Sequence, residues 1–394
     1  MAIVGGGPAA FMLAATLDEK KFNVTIYEKN FAVGRKFLVA GDGGFNLTHS
    51  ENIDDLVSRY APVGFLNPAL RRFTNENLRD WLKEIGVETY VGTSKRVFPV
   101  KGIKPIDVLN AFLKNLSERG VTIKTKHEWR GWDENNNLIF SNDHKSLSVR
   151  SDFSVFSLGG ASWKITGSDG GWKKVFEQKN IVVSPFFPSN CAYKIDWPAE
   201  FLKAAGGKAL KNISVSCGDK TKAGELVITD FGIEGGAIYA LSPEIRKQLA
   251  KNNSAVIYVD LKPTLSETEI IERLTSGKNR SRTKILVDTL KLSPVQSALL
   301  KFATTKEDFT DNAILAQKIK RLPLQITAAA PIDEAISTIG GISLNDLTES
   351  FELIKLPNTF CVGEMLDWDA PTGGYLLQAC FSMGNFLGKH LNCK

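Results

Sequence analysis

The chain has 394 residues, of which 43% are hydrophobic and 23% are charged, a composition typical of a folded globular protein. It argues against a disordered or collagen-like chain. A chain of this length buries enough apolar surface to fold without disulfides or metal ions. The net charge of +6 is small for the length and does not by itself indicate a nucleic-acid-binding protein.

The five cysteines are widely spaced, and none belongs to a Cys-x-x-Cys or Cys/His cluster. We therefore predict neither a disulfide framework nor a metal site, and we expect a reducing, cytoplasmic environment. No apolar run is long enough to predict a membrane span. The apolar N-terminus lacks the basic leader of a signal peptide, and glycines interrupt it.

Residues 1–30 predict a nucleotide-binding unit. Ile3 and Val4 end a buried strand, the segment 5–10 forms a tight turn into a helix, and the segment 23–28 is a second strand that ends in an acid. This order matches the G-x-G-x-x-A form of the dinucleotide-binding motif, in which the pyrophosphate lies at the helix N-terminus. The unit alone does not distinguish NAD from FAD.

Individual residues of this motif have distinct expected roles. Gly5 permits the turn, Gly7 lets the backbone approach a pyrophosphate, and Ala10 lets the helix and strand pack closely. Glu28 is placed to bind the ribose hydroxyls of an adenosine.

Three further glycine-rich segments favour FAD. In the first, Arg35 and Lys36 precede a glycine-rich loop that ends near His49, which suits a diphosphate and the edge of a planar ring. In the second, Gly159 and Gly160 follow a strand, where small residues permit close approach to a flat cofactor.

The third glycine-rich segment is C-terminal. A strand ends at Gly363 and Glu364, and an acid there can bind polyol hydroxyls such as those of ribityl. Gly373 and Gly374 begin the last predicted helix, whose N-terminus can stabilise negative charge on a reduced flavin.

Taken together, these segments closely resemble the HI0933-like family of bacterial FAD-dependent flavoproteins, within the glutathione-reductase-like FAD superfamily. The matching segments occur in the family's order and span nearly the whole chain: 3–10, 34–36, 41–48, 96–99, 158–162, 166–167, 224–226, 340–341, 363–367 and 372–375. The chain departs from the family pattern at 44–46 and at 235–236, on the expected substrate side. The substrate of relatives is therefore not transferred to this chain.

The resemblance implies non-covalent FAD and a set of cofactor-binding residues. It assigns Trp129, on a strand predicted over 121–129, to adenine, and the segment 374–376 to the pyrimidine edge of the flavin. The full set is Gly5, Gly7, Pro8, Ala9, Ala10, Glu28, Lys29, Arg35, Lys36, Asn46, Trp129, Gly159, Gly160, Gly363, Glu364, Asp367, Gly373, Gly374, Tyr375 and Leu376.

We expect an α/β fold: a discontinuous, three-layer Rossmann-like FAD/NAD(P)-binding domain with an inserted β-barrel-like domain and a small helical subdomain. The predicted boundaries are 1–185 and 340–394 for the FAD domain, 186–262 and 322–339 for the β domain, and 263–321 for the helical subdomain. In the inserted part, β-branched residues predict strands at 224–229 and 255–260. Apolar spacing predicts helices at 266–274, 282–290 and 295–302, the first with a capping box from Ser266 to Glu269.

The main functional interpretation is a cytoplasmic FAD-dependent oxidoreductase. Hydride would pass from a small organic substrate, such as an amine or amino-ketone, to flavin N5, and oxygen or another acceptor would reoxidise the flavin. Aminoacetone oxidation is attributed to some members of the family. A second dinucleotide motif and a cysteine pair are both missing from the sequence, which argues against a separate NAD(P)H domain and against dithiol chemistry.

Three alternatives remain open. The first is a reductase of an unsaturated or keto compound, with NAD(P)H as a transient reductant. The second is an RNA-associated flavoprotein, which only the basic cluster at 278–284 supports and which a solvated helix end explains better. The third is a flavin-binding sensor without turnover.

The sequence identifies no catalytic base. His49 is a candidate because histidine titrates in the useful range, and the competing interpretation is a loop histidine bonded to backbone. Asp367 and Asp369 are expected to bond loop N–H groups.

Overall fold

A computed structural model of the chain describes residues 1–39, 45–142, 145–276 and 281–394. These residues form two compact units: the first comprises Met1–Phe187 and Ser337–Lys394, and the second comprises Pro188–Ile336. Two sequence features lie outside the described residues. They are the glycines at 41, 43 and 44 of the predicted cofactor loop, and Lys278 and Arg280 of the basic cluster.

Among its described residues, the N-terminal part of the chain up to Ser189 has eleven strands and seven α-helices. The strands are β1 Ala2–Val4, β2 Thr25–Tyr27, β3 Thr48–His49, β4 Thr89–Val91, β5 Arg96–Pro99, β6 Thr122–Lys124, β7 Glu128–Trp132, β8 Leu138–Asn142, β9 Lys145–Val149, β10 Ser154–Phe156 and β11 Val183–Ser189. The helices are α1 Pro8–Thr16, α2 Arg35–Val39, α3 Ile53–Val57, α4 Asn67–Arg72, α5 Asn75–Glu84, α6 Pro105–Glu118 and α7 Lys173–Glu177.

The second unit and the C-terminal return complete the chain. The strands of the second unit are β12 Tyr193–Lys194, β13 Ala209–Cys217, β14 Lys220–Ile228, β15 Gly232–Glu234, β16 Ala255–Asp260, β17 Leu322–Ile326 and β18 Ala328–Ala329. Its helices are α8 Ala199–Ala205, α9 Gly236–Tyr239, α10 Ser242–Asn252, α11 Glu267–Ser276, α12 Arg282–Lys284, α13 Pro294–Phe302, α14 Lys306–Thr310 and α15 Asn312–Lys320. The return to the first unit adds β19 Ser337–Ile342, β20 Thr359–Cys361 and α16 Tyr375–Leu391.

The centre of the first unit is a five-stranded parallel sheet with the order β20-β10-β1-β2-β6. Strands β1, β10 and β20 are buried along their length, as expected for a parallel sheet that is covered on both faces. The antiparallel sheet β7-β8-β9 covers one face, where Phe140 stacks on Tyr27 with ring centroids 4.3 Å apart. Helices α1, α6 and α16 pack together through Phe11, Phe112 and Phe381. The predicted α/β fold with a Rossmann-like sheet is confirmed.

The strand predicted over 121–129 is wrong as a single element. The chain forms β6, turns at Lys126 with a φ of 56°, and resumes as β7 in a different sheet. The left-handed residue ends the first strand because a continuing strand needs negative φ at every position.

The second unit is built on an antiparallel sheet with the order β17-β16-β13-β14-β15-β12-β18. Only Thr327 separates β17 from β18, so one stretch of chain pairs with β16 at one end and with β12 at the other. The sheet thereby closes on itself. Helices α11 to α15 occupy the sequence between β16 and β17.

Two of the three predicted helices of this region form as expected, and the third is interrupted. The segment predicted over 282–290 forms α12 and then a π-helical turn at Ile285–Thr289. The predicted capping box is confirmed, because Glu269 Oε2 accepts the Ser266 N–H at 2.7 Å and Ser266 Oγ accepts the Glu269 N–H at 3.2 Å. Within the part of the chain that the structure describes, no helix is long and apolar enough to cross a membrane.

Candidate functional site

A cavity of about 450 Å³ lies at the carboxyl ends of the parallel strands in the first unit. Residues that follow β1, β2, β10 and β20 all contribute to its lining. The strand order reverses at β1, which pairs with β2 on one side and β10 on the other. Open α/β sheets bind their ligands at this kind of switch point, so the topology alone marks this cavity as the candidate site.

The turn between β1 and α1 forms one wall of the cavity. Gly5 has a φ of +98°, and a Cβ there would lie 2.6 Å from the carbonyl oxygen of Ser157, so only glycine fits. Gly7 is the N-cap of α1, brings no capping side chain, and is followed by no acidic residue in the first turn. A Cβ on Gly7 would meet no protein atom within 4 Å. The helix N-terminus therefore faces open space with its N–H groups available to an anion.

The carboxylate of Glu28, immediately after β2, is fixed at the edge of the same cavity. Its Oε2 accepts the Gly6 N–H at 3.0 Å, and its Oε1 accepts the backbone N–H and the side-chain amide of Asn30 at 2.9 and 2.8 Å. These bonds hold the carboxylate in one orientation and leave lone pairs that can accept ribose hydroxyls.

Lys36 also lines the cavity and is held there by defined partners. Lys36 Nζ donates to Ser162 Oγ at 2.8 Å and to Glu364 Oε2 at 2.9 Å, and Glu364 Oε1 accepts the N–H of Thr338 at 3.1 Å. Glycine is required at 160 because a Cβ there would overlap Thr338 Oγ1. The result is a cation held at the cavity wall.

Two further cations, Lys29 and Arg35, line the same cavity. Lys29 Nζ lies 2.7 Å from Asp169 Oδ2, and Arg35 donates to Asn30 Oδ1 at 2.9 Å. Burial would raise the pKa of Asp169, but its hydrogen bonds from Lys29 and from the N–H of Gly171 outweigh burial, and the pKa is lowered. Asp169 is therefore ionised at neutral pH and keeps Lys29 at the cavity.

Two buried polar atoms beside the cavity have no hydrogen-bond partner among the described residues. They are the indole Nε1 of Trp129 and the Oγ of Ser168, and both residues line the cavity. Buried donors without partners are rare in folded proteins and call for an explanation. A ligand with acceptor atoms in this cavity would supply the missing hydrogen-bond partners after a small shift of these side chains. Together with the open helix N-terminus and the fixed carboxylate, these donors fit a dinucleotide cofactor.

Replacing Trp129 by phenylalanine tests this part of the site. We expect the apoprotein's free energy of unfolding to change by no more than about 1 kcal/mol, because removing an unsatisfied donor offsets the packing that the smaller ring loses. The Kd for FAD should rise about three- to tenfold, measured by fluorescence titration of apoprotein. Trp132→Phe is the control, since Trp132 packs against Trp129 at 4.7 Å without lining the cavity. Equal weakening by both variants would contradict a cofactor contact at Trp129.

The structure brings twelve of the predicted cofactor residues together around the cavity and leaves eight elsewhere. The lining residues are Gly5, Gly7, Pro8, Ala9, Glu28, Lys29, Arg35, Lys36, Trp129, Gly159, Gly363 and Glu364. The remaining eight are Ala10, Asn46, Gly160, Asp367, Gly373, Gly374, Tyr375 and Leu376. For all twenty residues, contact with a cofactor stays a prediction. Asp367 accepts the Gly340 N–H at 3.1 Å, and Asp369 accepts the Ala370 N–H at 3.0 Å, as expected for carboxylates that order loops.

His49 is held by backbone groups. Its Nδ1 accepts the N–H of Glu51 at 3.3 Å, its ring bonds to the backbone at Ser94, and the ring stacks on Tyr375 at 5.1 Å. Burial lowers the pKa of His49, with a smaller contribution from Arg59 and Arg96. The ring is therefore neutral at pH 7, and a role as catalytic base stays a prediction.

A comparison with known protein families identifies the family of this chain. A model of the HI0933-like protein Rossmann domain matches residues 1–390. The chain belongs to the HI0933-like family. As a member of this flavoenzyme family it is an FAD-dependent oxidoreductase, and the residues around the cavity fit FAD.

Two curated relatives of this HI0933-like protein match along nearly the whole chain. One is a "3-dehydro-bile acid delta(4,6)-reductase" of Clostridium scindens, 23% identical over 98% of this chain and 97% of the relative. Another is a "Ribosomal RNA dihydrouridine synthase" of Escherichia coli, 23% identical over 96% of this chain and 94% of the relative. Among solved structures, the open conformation of a flavocytochrome c3 fumarate reductase aligns with a TM-score of 0.54 at 12% identity, covering all of this chain and 78% of that one. That likeness supports the fold.

Sequence patterns missed several residues that complete the site in this HI0933-like chain. Asn30 ties Glu28 to Arg35, Asp169 holds Lys29, and Thr338 orients Glu364. Gly170 and Gly171 directly follow Asp169, and this position beside glycines was an available signal. For Thr338 the available signal was weaker, namely its place just before the paired glycines at 340 and 341.

Proposed function

We propose that this FAD-dependent oxidoreductase reduces a carbon–carbon double bond conjugated to a carbonyl group, with NAD(P)H as the electron donor. The observation that carries the proposal is the pair of full-length relatives named for this kind of chemistry. A 3-dehydro bile acid with Δ4,6 unsaturation carries two double bonds in conjugation with its 3-keto group. Dihydrouridine is uridine whose C5–C6 double bond, conjugated to the C4 carbonyl, has gained two hydrogens.

The reaction balances with a single organic donor. NAD(P)H gives up a hydride and becomes NAD(P)⁺, and the substrate gains that hydride at the carbon β to the carbonyl and a solvent-derived proton at the α carbon. When bound, FAD supplies the two-electron carrier between the two. The sequence has no Cys-x-x-Cys pair, which argues against a dithiol as the donor.

The chain's own residues bind and orient the cofactor in this scheme. The N-terminus of α1 at Gly7 would hold the pyrophosphate, and Glu28 would bind the adenosine ribose. Lys36, fixed by Glu364, supplies positive charge to the diphosphate. The proposed direction is the reverse of the main expectation from sequence, oxidation of an amine or amino-ketone, which stays a prediction.

A second candidate substrate is a uracil ring within RNA, because one of the full-length relatives is named for that substrate. In the basic cluster, Arg282 is engaged by the side chain of Asn312 and the carbonyl of Thr310. RNA binding by this surface would then depend on residues other than Arg282. Binding that weakens steeply with salt would support this candidate.

The test is an anaerobic flavin assay on purified holoprotein. NADH or NADPH should bleach the flavin absorbance near 450 nm, and a small cyclic enone or a 3-keto-4-ene steroid should restore it, with the saturated ketone as product. An amine or amino-ketone panel and a uridine-containing ribosomal RNA fragment are run in parallel. If an amine bleaches the flavin and neither an enone nor the RNA fragment reoxidises it, the proposal is wrong and the protein is better described as an oxidase.

A further inference from the structure

The buried carboxylate of Glu51 is bonded to two elements of the first unit. Glu51 follows β3 and is 7% exposed. Its Oε1 accepts the hydroxyl of Tyr375 at 2.6 Å and Arg59 Nε at 3.1 Å, and its Oε2 accepts Arg59 Nη2 at 2.8 Å. Burial would raise the pKa of Glu51, but the hydrogen bonds from Arg59 and Tyr375 outweigh burial and lower it. Glu51 is therefore ionised at neutral pH.

Tyr375 is the first residue of α16, the long C-terminal helix. Burial raises its pKa, and the hydrogen bond to Glu51 raises it further, so the phenol stays a protonated donor. Its backbone carbonyl accepts the hydroxyl of Tyr60 at 2.8 Å, and its ring stacks on His49. The first turn of α16 is thus held through both the side chain and the backbone of one residue.

A second set of contacts locks the same turn against β3. Thr48 Oγ1 donates to Gln378 Oε1 at 2.6 Å, and Gln378 Nε2 donates to the carbonyl of Phe73 at 3.1 Å. The N-cap Gly374 has a φ of +96°, and a Cβ there would lie 2.6 Å from the Cα of Thr48. The backbone of α16 therefore begins in direct contact with β3, without space for a side chain between them.

We propose that Glu51 is a positioning residue, which fixes the first turn of α16 through Tyr375 and so sets the placement of the backbone at 373–376 toward the flavin. This inference rests on the proposed cofactor role of those residues. A buried ion pair is weak evidence for stability, because apolar residues of similar volume often serve as well. The contribution of the Glu51 hydrogen bonds is geometric. They are charged, short and directional, and they orient the N-terminus of α16, which carries partial positive charge.

The test compares Tyr375→Phe with Tyr90→Phe in FAD-loaded protein. Tyr375→Phe keeps the ring and removes only the bond to Glu51, whereas Tyr90 lies on β4 with 48% exposure and provides a matched control. We expect Tyr375→Phe to retain FAD and to lose about three- to tenfold of the preference for reduced over oxidised FAD. That loss corresponds to a shift of the two-electron midpoint potential by roughly 15–30 mV to more negative values. Tyr90→Phe should leave the potential unchanged.

Glu51→Gln provides the second measurement. This substitution removes the charge but keeps an amide oxygen that can still accept the Tyr375 hydroxyl. Because Tyr375→Phe already removes that bond, the double variant should shift the potential no further than Tyr375→Phe alone. A lower melting temperature with an unchanged potential in Tyr375→Phe would overturn the positioning role and leave only a structural one. Failure of the wild-type protein to bind FAD would overturn both this inference and the cofactor assignment, and it is visible before any variant is made.

Discussion

Replacing Gly7 by valine should abolish FAD retention while the apoprotein folds normally. Gly7 is the N-cap of α1 with a φ of −111° and a ψ of −177°, an extended conformation that valine readily adopts. Because a Cβ at Gly7 meets no protein atom within 4 Å, we expect the valine side chain to extend into the space in front of the helix N-terminus. A pyrophosphate bound there would lose several charge-assisted hydrogen bonds, and we expect the Kd for FAD to rise by at least ~100-fold.

Gly5→Ala is the matched comparison. It introduces a smaller side chain two residues away, but we expect it to destabilise the apoprotein, whereas Gly7→Val should leave the apoprotein folded. The left-handed φ of +98° costs about 1–2 kcal/mol for alanine. The approach of the new Cβ to the Ser157 carbonyl adds about 1–3 kcal/mol of overpacking. Gly5→Ala should therefore lower the free energy of unfolding of the apoprotein itself.

The measurements are urea denaturation of both apoproteins and FAD content after gel filtration. For Gly7→Val the free energy of unfolding should fall by less than about 1 kcal/mol, the cost of a poorer N-cap. A Gly7→Val protein that purifies yellow with wild-type FAD content would contradict the assignment of the pyrophosphate to the N-terminus of α1.

Local sequence patterns identified the parts of the site that local geometry determines. Gly5, Gly7 and Glu28 belong to one strand–turn–helix–strand unit, whose spacing fixes where each residue lies. The fold class, the FAD cofactor and the family followed from this unit and from the order of the later glycine segments. A turn that only glycine can adopt leaves a direct trace in the sequence.

The pairs that complete the site leave no such trace. Lys36 contacts Glu364, and Glu51 contacts Tyr375, across more than 300 positions of sequence in each case. These contacts exist because the chain returns to the first unit after the second one, and no periodicity or motif near either residue specifies its partner. The prediction of one strand over 121–129 failed for a related reason. The residue pattern is compatible with a single strand, and the turn involves a positive φ at Lys126 and backbone hydrogen bonds from Lys126 and His127 to Asn30 and Glu28, which are distant in sequence.

Replacing Lys36 by methionine should destabilise the apoprotein and weaken FAD binding by separate mechanisms. The Glu364 side chain is only 8% exposed, and without Lys36 its carboxylate keeps a single described donor, the N–H of Thr338. Removing one partner of a buried ion pair lowers the free energy of unfolding by about 3–5 kcal/mol. Because Lys36 is 26% exposed, we expect a loss at or slightly below the lower end of this range.

The double variant Lys36→Met/Glu364→Gln separates the two effects. A neutral amide at position 364 can still accept the Thr338 N–H and leaves no unpaired charge, so the double variant should recover much of the lost free energy of unfolding. FAD affinity should not recover, because the cation that we propose binds the diphosphate is still missing. Urea denaturation of the apoproteins measures the first effect, and FAD titration measures the second. If the double variant proved no more stable than Lys36→Met, the cost would lie in lost packing of the lysine stem rather than in an uncompensated carboxylate.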